Sequence, residues 1–363
     1  TDSTNLHIPN GSVSALESAG TPIAGLTTDI DGQTRNASTP DIGADEFNGF
    51  NQSNTLAGTY YVGVAGSGPG GSNPDFATLK AACDTLNSSN VSSNTTFYIT
   101  SNLVEPNNVS IGINPGTYTV TFKPYAGTID TITFAQVADN VGVSGGWVLG
   151  TPTLAISSTT NYGLVTTNNI IIDGSNTVGG TTRDLVIQTN TGINGNTNPI
   201  RIIGDVNNCT LKNLVVQTNQ SVSYAISITN RFFAPNNWTP DNITVDNCSI
   251  TNTISSSGQG IAISNSGTPI AYPTGMIFRN NDVLARTRGI FLNYAGNTDV
   301  YNNNIRINQT STGLMSYGIW GLTIGDVSNV TNIYNNKITL LSSGNSNAGD
   351  YGIVGIEAGS RGT

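Results

Sequence analysis

The side chains able to do chemistry concentrate in one stretch, "RNNDVLARTRG" at 279–289, which places Arg279, Asp282, Arg286 and Arg288 close together in the chain. An arginine base beside acids that hold a calcium ion could take a proton from an acidic sugar, but one aspartate is short of the cluster this needs. A second group is "DIDG" at 29–32, followed by Asp41, Asp45 and Glu46. Hard oxygen ligands at alternating spacing suit calcium, which makes Asp29, Asp31 and Asp41 its candidate ligands; the full twelve-residue loop is missing, and a turn leading into a capping segment accounts for the same residues. A third group is aromatic. Phe232, Phe233 and Trp238 in "RFFAPNNWTP", with Tyr301, Tyr334 and Trp320, offer faces on which a sugar could stack. "GSGPGGSNP" at 66–74 has no Gly-Lys-Ser/Thr and is a loop, not a phosphate cradle. No catalytic residue emerges.

The elements that must position these groups are announced by a repeat. "LKNLVV" from Leu211, "VDNCSI" from Val245, "FRNNDV" from Phe278, "VYNNNI" from Val300 and "IYNNKI" from Ile333 share one pattern: apolar, variable, Asn, two variable, apolar. A second set, "YAISI" at Tyr224, "GIAIS" at Gly260, "GIFLN" at Gly289, "GIWGL" at Gly318 and "GIVGI" at Gly352, falls between the first, so each coil carries at least two short strands. Short strands with period-two alternation, Asn and Gly corners and almost no helical period fit an all-β parallel solenoid better than a sandwich. Asn213, Asn247, Asn280, Asn302 and Asn335 are expected at sharp left-handed corners, with their amides stacked in a ladder from coil to coil. Val216, Ile250, Val283, Ile305 and Ile338 should face the core. The outward place before the Asn reads Lys212, Asp246, Arg279, Tyr301, Tyr334, alternating charges and then two aromatics, as neighbouring strands prefer. That alignment gives Arg279 to Asp246, and gives Asp282 only Ser249 and Asn304 as neighbours.

The 363 residues can bury a sizeable core. Only 10% are charged and the net charge is -9, so no basic stripe exists to neutralise nucleic-acid phosphates. Cys83, Cys209 and Cys248 form neither a CxxC nor a zinc spacing and read as buried free thiols. No run is long enough to span a membrane, and no signal segment opens the chain.

Residues 1–48 read as a closing segment ending in "PDIGADEF", 49–58 as a polar linker, and 59–363 as one solenoid that ends inside or just after a coil. The one amphipathic helix, about 75–87, has Asp75 as its expected N-cap and Phe76, Leu79, Cys83 and Leu86 on one face; it should lid the open apolar end. The combination "GTYYVG", "DFATLKAACDTLN", "TFYIT", "YTVTFKPYAG", "IIIDGSNT" and the Asn-corner coils resembles the right-handed parallel β-helix (pectin-lyase-like) modules of very large secreted surface proteins of Bacteroidota. "DIDGQTR" with "PDIGADEF" resembles the closing segment of a preceding module. The resemblance covers nearly the whole chain. It implies an extracellular, cell-surface protein exported by type IX secretion, adhesive and in some cases serving gliding motility, with neighbouring modules, glycans or abiotic surfaces as partners.

The same fold houses polysaccharide-degrading enzymes, and fold alone decides nothing. The Gly-His-Gly and Arg-Ile-Lys of polygalacturonases are absent, and the single histidine, His7, lies in the preceding segment. The expectation is a non-enzymatic structural or adhesive module without cofactor, unless calcium binds. The alternatives are a polysaccharide lyase or an inactive glycan-binding relative, and a filament-forming subunit.

Overall fold

The structure, a computed structural model, describes residues 13–14, 16–47, 50–51, 55–135, 144–150, 166–191, 197–219, 223–233, 236–255, 257–264, 272–309, 316–324, 330–342 and 353–358. His7 lies outside them. Three long sheets, of nine, eight and eight strands, run the length of the molecule, and every neighbouring pair within them is parallel. The chain visits the three in turn: Thr244–Asp246 in the first sheet, Ser249–Asn252 in the second, Gln259–Ser264 in the third, then back to the first at Met276–Arg279. The fold is therefore an all-β parallel β-helix with three strands per coil.

The first repeat set contains two of these strands, bent about its Asn. Asn213, Asn247, Asn280, Asn302 and Asn335 all take positive φ, between 51° and 59°, a conformation that Asn tolerates better than other residues with a Cβ. Their rows pair as expected, Val245 beside Leu211 and Phe278, and Val300 beside Ile333. Two details of the second set differ. Tyr224 pairs with Gln259 rather than with Gly260, and Val354 rather than Gly352 sits beside the Tyr317–Gly318 step. Close packing fixes the register between the other rows: a Cβ on Gly289 would stand 2.2 Å from Ile305 Cγ2 and 2.6 Å from the Gly318 carbonyl oxygen, so only glycine fits.

The core is a set of stacked rows. Phe97 and Phe122 stack at 4.7 Å and Trp147 meets Phe122 edge-on at 5.2 Å; further along, Leu211, Val245, Phe278 and Val300 continue the first sheet's inner face, fully buried. Val216, Ile250, Val283 and Ile305 are buried on the second. All three cysteines are free and buried, and burial pushes the Cys209 and Cys248 thiols up to about 12.

The helix is shorter than expected, Leu79–Asn87, and Thr78 rather than Asp75 caps it, accepting from the Ala81 N–H at 3.1 Å. Asp75 and Phe76 instead lie before the helix: Phe76 bridges Val62 at the sheet edge, and the Asp75 carboxylate accepts the Tyr61 N–H. A β-bridge that satisfies two backbone groups displaces the first helical turn. Leu79, Ala82, Cys83 and Leu86 point into the end of the core. The first solenoid strand, Thr55–Val62, begins inside the segment read as a linker. Among the described residues no helix is long and apolar enough to cross a membrane.

Candidate functional site

The residues of "RNNDVLARTRG" do not converge. Arg279 lies on the outer face of the first sheet and holds Asp246 at 2.9 Å. Asp282, at the start of the second sheet's strand, pairs with Arg183 at 2.8 Å. Arg286 donates to the Thr253 carbonyl, and Arg288 opens a strand of the third sheet. The fold thus distributes one sequence cluster over three faces.

The calcium candidates are also divided. Asp41 uses both carboxylate oxygens on backbone N–H groups, from Ser18 at 2.6 Å and Phe47 at 2.8 Å. Asp45, not Asp41, stands with Asp29 and Asp31. Asp29 already accepts three N–H groups, from Asp31, Gln33 and Glu46. Burial works to raise its pKa, but those N–H groups and the Arg35 guanidinium outweigh it and hold the carboxyl below the ordinary value. Arg35 donates to the Gly43 and Asp41 carbonyls and lies 3.4 Å from Glu46. Residues 29–46 therefore form a loop wound on one arginine, and Asp29 and Asp41 serve its backbone. An apolar cleft of about 490 Å³ lined by Ile23, Leu26, Pro40 and Ile42 opens beside it.

The predicted asparagine ladder is displaced by one residue. Asn247 does donate to Asn213, and Asn213 to Asp173, but Asn280 turns to Asp246. The continuous ladder is Asn281, Asn303 and Asn336: Asn281 donates to Asn303 at 3.0 Å and Asn303 to Asn336 at 2.9 Å, while each amide also reaches a backbone carbonyl. The left-handed residue points outward, so the following one points in and must satisfy the corner.

On the first sheet's outer face the row Lys212, Asp246, Arg279, Tyr301, Tyr334 is in register, with Tyr301 and Tyr334 stacked at 4.9 Å and 4°. Sequence reading missed that it continues backwards through Asp173, which holds Lys212 at 3.2 Å, to the stacked pair Tyr98 and Tyr61. Phe232 and Phe233 form a strand of a two-stranded antiparallel hairpin with Asn236–Trp238, and Trp238 is half-buried. The side chains of Phe232 and Phe233 lie outside the described residues.

The third sheet carries a different cluster, of which the sequence singled out Arg288 and Trp320 separately but not their meeting. One row runs Tyr224, Gln259, Arg288, Tyr317; the next runs Ser227, Ala262, Phe291, Trp320, and only Tyr224, Arg288 and Trp320 are partly exposed, the other five being buried. The Arg288 guanidinium lies over the Phe291 ring at 4.7 Å and over Trp320 at 4.2 Å. Trp320 stacks on both Phe291 and Tyr317, each at 4.8 Å. Burial lowers the Arg288 pKa, while Tyr224 and Tyr317 work to raise it. Among the described residues no carboxylate forms an ion pair with Arg288. Along the same two rows, side-chain polar atoms of Ser227, Gln259, Arg288 and Trp320 are out of contact with solvent and without a hydrogen-bond partner, as are both amide atoms of Asn198. Asn198, Ser227 and Gln259 are at most 4% exposed. Orphaned polar atoms of this kind are costly, about 1–3 kcal/mol each, and here they line one face. The signal was present in sequence as matching places in "RGIFL" and "YGIWG", Arg above Tyr and Phe above Trp.

No family model matches the chain, and no curated protein matches it. Among solved structures a rhamnogalacturonan lyase is similar, with 12% identity, 77% of this chain and 87% of that chain covered, and a TM-score of 0.34. No residue role is carried over at that level of identity.

Proposed function

We propose that this chain is a non-catalytic, glycan-binding module of a secreted surface protein, with its ligand held on the outer face of the third sheet. The observation that carries this reading is the Arg288 guanidinium lying against the stacked Phe291 and Trp320 rings, beside the unpartnered polar atoms of Ser227, Gln259 and Asn198. Aromatic faces stack on the apolar face of a sugar ring, hydroxyls satisfy amides and hydroxyls, and an arginine with no carboxylate partner among the described residues favours an acidic sugar. Elimination chemistry is disfavoured because Arg279 and Asp282 are each engaged in an ion pair on another face. Adhesion, attachment to neighbouring modules and location at the cell surface belong to the same proposal.

A glycan array with neutral and acidic polysaccharides, run with and without calcium, tests it, followed by an absorbance assay for unsaturated products on every binder. The expected outcome is binding without turnover, weakened about tenfold or more by Arg288→Ala or Trp320→Ala, since a hydrogen bond to a charged group contributes about 1.5–3 kcal/mol and ring stacking about 0.5–1.5 kcal/mol beyond the buried area. Product formation would overturn the non-catalytic reading, and binding indifferent to both substitutions would move the ligand to another face.

A further inference from the structure

In a solenoid each coil touches only its neighbours, so unfolding can run from either end, one coil at a time. One corner breaks that rule. Between the first-sheet strand Ile170–Asp173 and the second-sheet strand Leu185–Thr189, where later coils turn on one or two residues, the chain inserts "GSNTVGGTTRD" at 174–184. The insert is closed at its base by the Asp184 N–H donating to the Gly174 carbonyl at 2.7 Å. Inside, the Asp184 carboxylate accepts from the Asn176 N–H and the Thr182 hydroxyl, and the Ser175 and Thr182 hydroxyls meet at 2.9 Å. Gly174 lets it lie flat on the next coil, because a Cβ there would stand 1.9 Å from the Asn213 carbonyl oxygen.

From this base it reaches four other coils. Backwards, Asn176 donates to the Thr128 carbonyl at 2.9 Å and Lys123 donates to the Thr177 carbonyl at 3.3 Å. Forwards, the outward amide of Asn213, in the next coil, donates to Gly180 O, and that of Asn247, one coil further, donates to Thr181 O at 2.9 Å. Arg183 then donates through Nε to the Asn247 carbonyl, through Nη2 to Asn247 Oδ1, and through Nη1 to Asp282, in the coil beyond that. With strands about 4.8 Å apart, the bonds span about 19 Å of the axis. Asn213 and Asn247, beyond their left-handed backbone and their bonds to Asp173 and to each other, serve here as hooks.

We propose that residues 174–184 are a clasp that joins the five coils from Val120 to Ala295 into one cooperative unit, with Arg183 as the residue that ties the far end. The third-sheet strands of the same coils carry Asn198, Ser227, Gln259 and Arg288, so the clasp also holds one wall of the molecule in register from behind. The inference does not depend on what that wall binds.

Native-state hydrogen exchange on the intact chain tests it, comparing wild type with Arg183→Ala and with Asn247→Gly. The second variant keeps the positive φ that glycine tolerates and deletes only the amide. In wild type, strands 170–173, 210–212, 244–246 and 276–279 should open together with one common protection factor. In each variant the strands at 244–246 and 276–279 should exchange about tenfold faster than 170–173, the ratio expected for losing hydrogen bonds that hold about 1.4 kcal/mol in total. Unequal protection of these strands in wild type, or equal protection in both variants, would overturn the clasp. If Arg183→Ala does not fold, Asn247→Gly alone decides.

Discussion

Asn302 and Asn303 are adjacent and chemically identical, and the fold uses them for opposite purposes. Asn302 is exposed at φ 57°, where its backbone conformation is what matters; Asn303 is 1% exposed, donates to the Phe278 carbonyl and to Asn336, and accepts from Asn281. Asn302→Gly should therefore be close to neutral and Asn302→Ala should cost about 1 kcal/mol, the left-handed penalty. Asn303→Ala should cost about 2–3 kcal/mol, because it strands several buried partners at once. Denaturant midpoints of the three variants check the order, and an Asn303→Ala milder than Asn302→Ala would refute it. Asp282 adds a pH dependence. Burial works to raise its pKa, but the Arg183 and Asn304 bonds outweigh that and leave it lowered. Its contribution is therefore present above the ordinary aspartate range and lost as pH falls through the lowered value. Arg183→Ala should shrink that acid-side loss, which thermal midpoints measured down through pH 4 to 2 would show.

At the scale of the element, the short helix depends on two caps drawn from different places. Thr78 covers the Ala81 N–H from within, and Glu105, 1% exposed on a second-sheet strand, accepts the Leu79 and Lys80 N–H groups at 2.5 and 3.1 Å. Thr78→Ala should cost about 1 kcal/mol. Burial raises the Glu105 pKa, and the two N–H groups and Lys80 only partly offset it. The folded state thus binds this proton more tightly than the unfolded one, so stability rises as pH falls from neutral through the raised value, opposite in sign to Asp282. Glu105→Gln should flatten that rise. A thermal midpoint that falls on mild acidification in wild type, or a rise that survives in the variant, would contradict the assignment. The asymmetry is physical: among the described residues Glu105, under the helix, has no guanidinium partner, whereas Asp282 has one.

Across the whole molecule, stability resides in close stacking of coils. Gly289→Ala should overpack the corner against Ile305 and cost about 1–3 kcal/mol. Residues 16–47 are organised differently, around Arg35 and with backbone bonds that close within the segment, such as Ile42 N–H to the Leu16 carbonyl and Ile30 N–H to the Ala44 carbonyl. Arg35→Ala should open this segment to limited proteolysis and leave the melting of the solenoid unchanged; a lowered solenoid melting point would show that the two are energetically coupled.

The sequence by itself determined the architecture, because a parallel solenoid repeats its corner chemistry. Asn at a left-handed turn, an apolar residue on either side of it and glycine where Gly289 meets Ile305 are local requirements, and each appears in the chain where the structure uses it. The outward row from Lys212 to Tyr334 was legible for the same reason, since register alone sets it. Only the tertiary structure decided which of two adjacent asparagines faces inward, that a bridge to Val62 removes the first helical turn, and that Arg183 reaches Asp282 across three coils. It also decided the candidate site: Asn198, Gln259, Arg288 and Trp320 come from four different coils and meet on one face. Those outcomes depend on distances between residues far apart in the chain, and side-chain direction at a corner is fixed by the backbone around it, which no single row of the repeat contains.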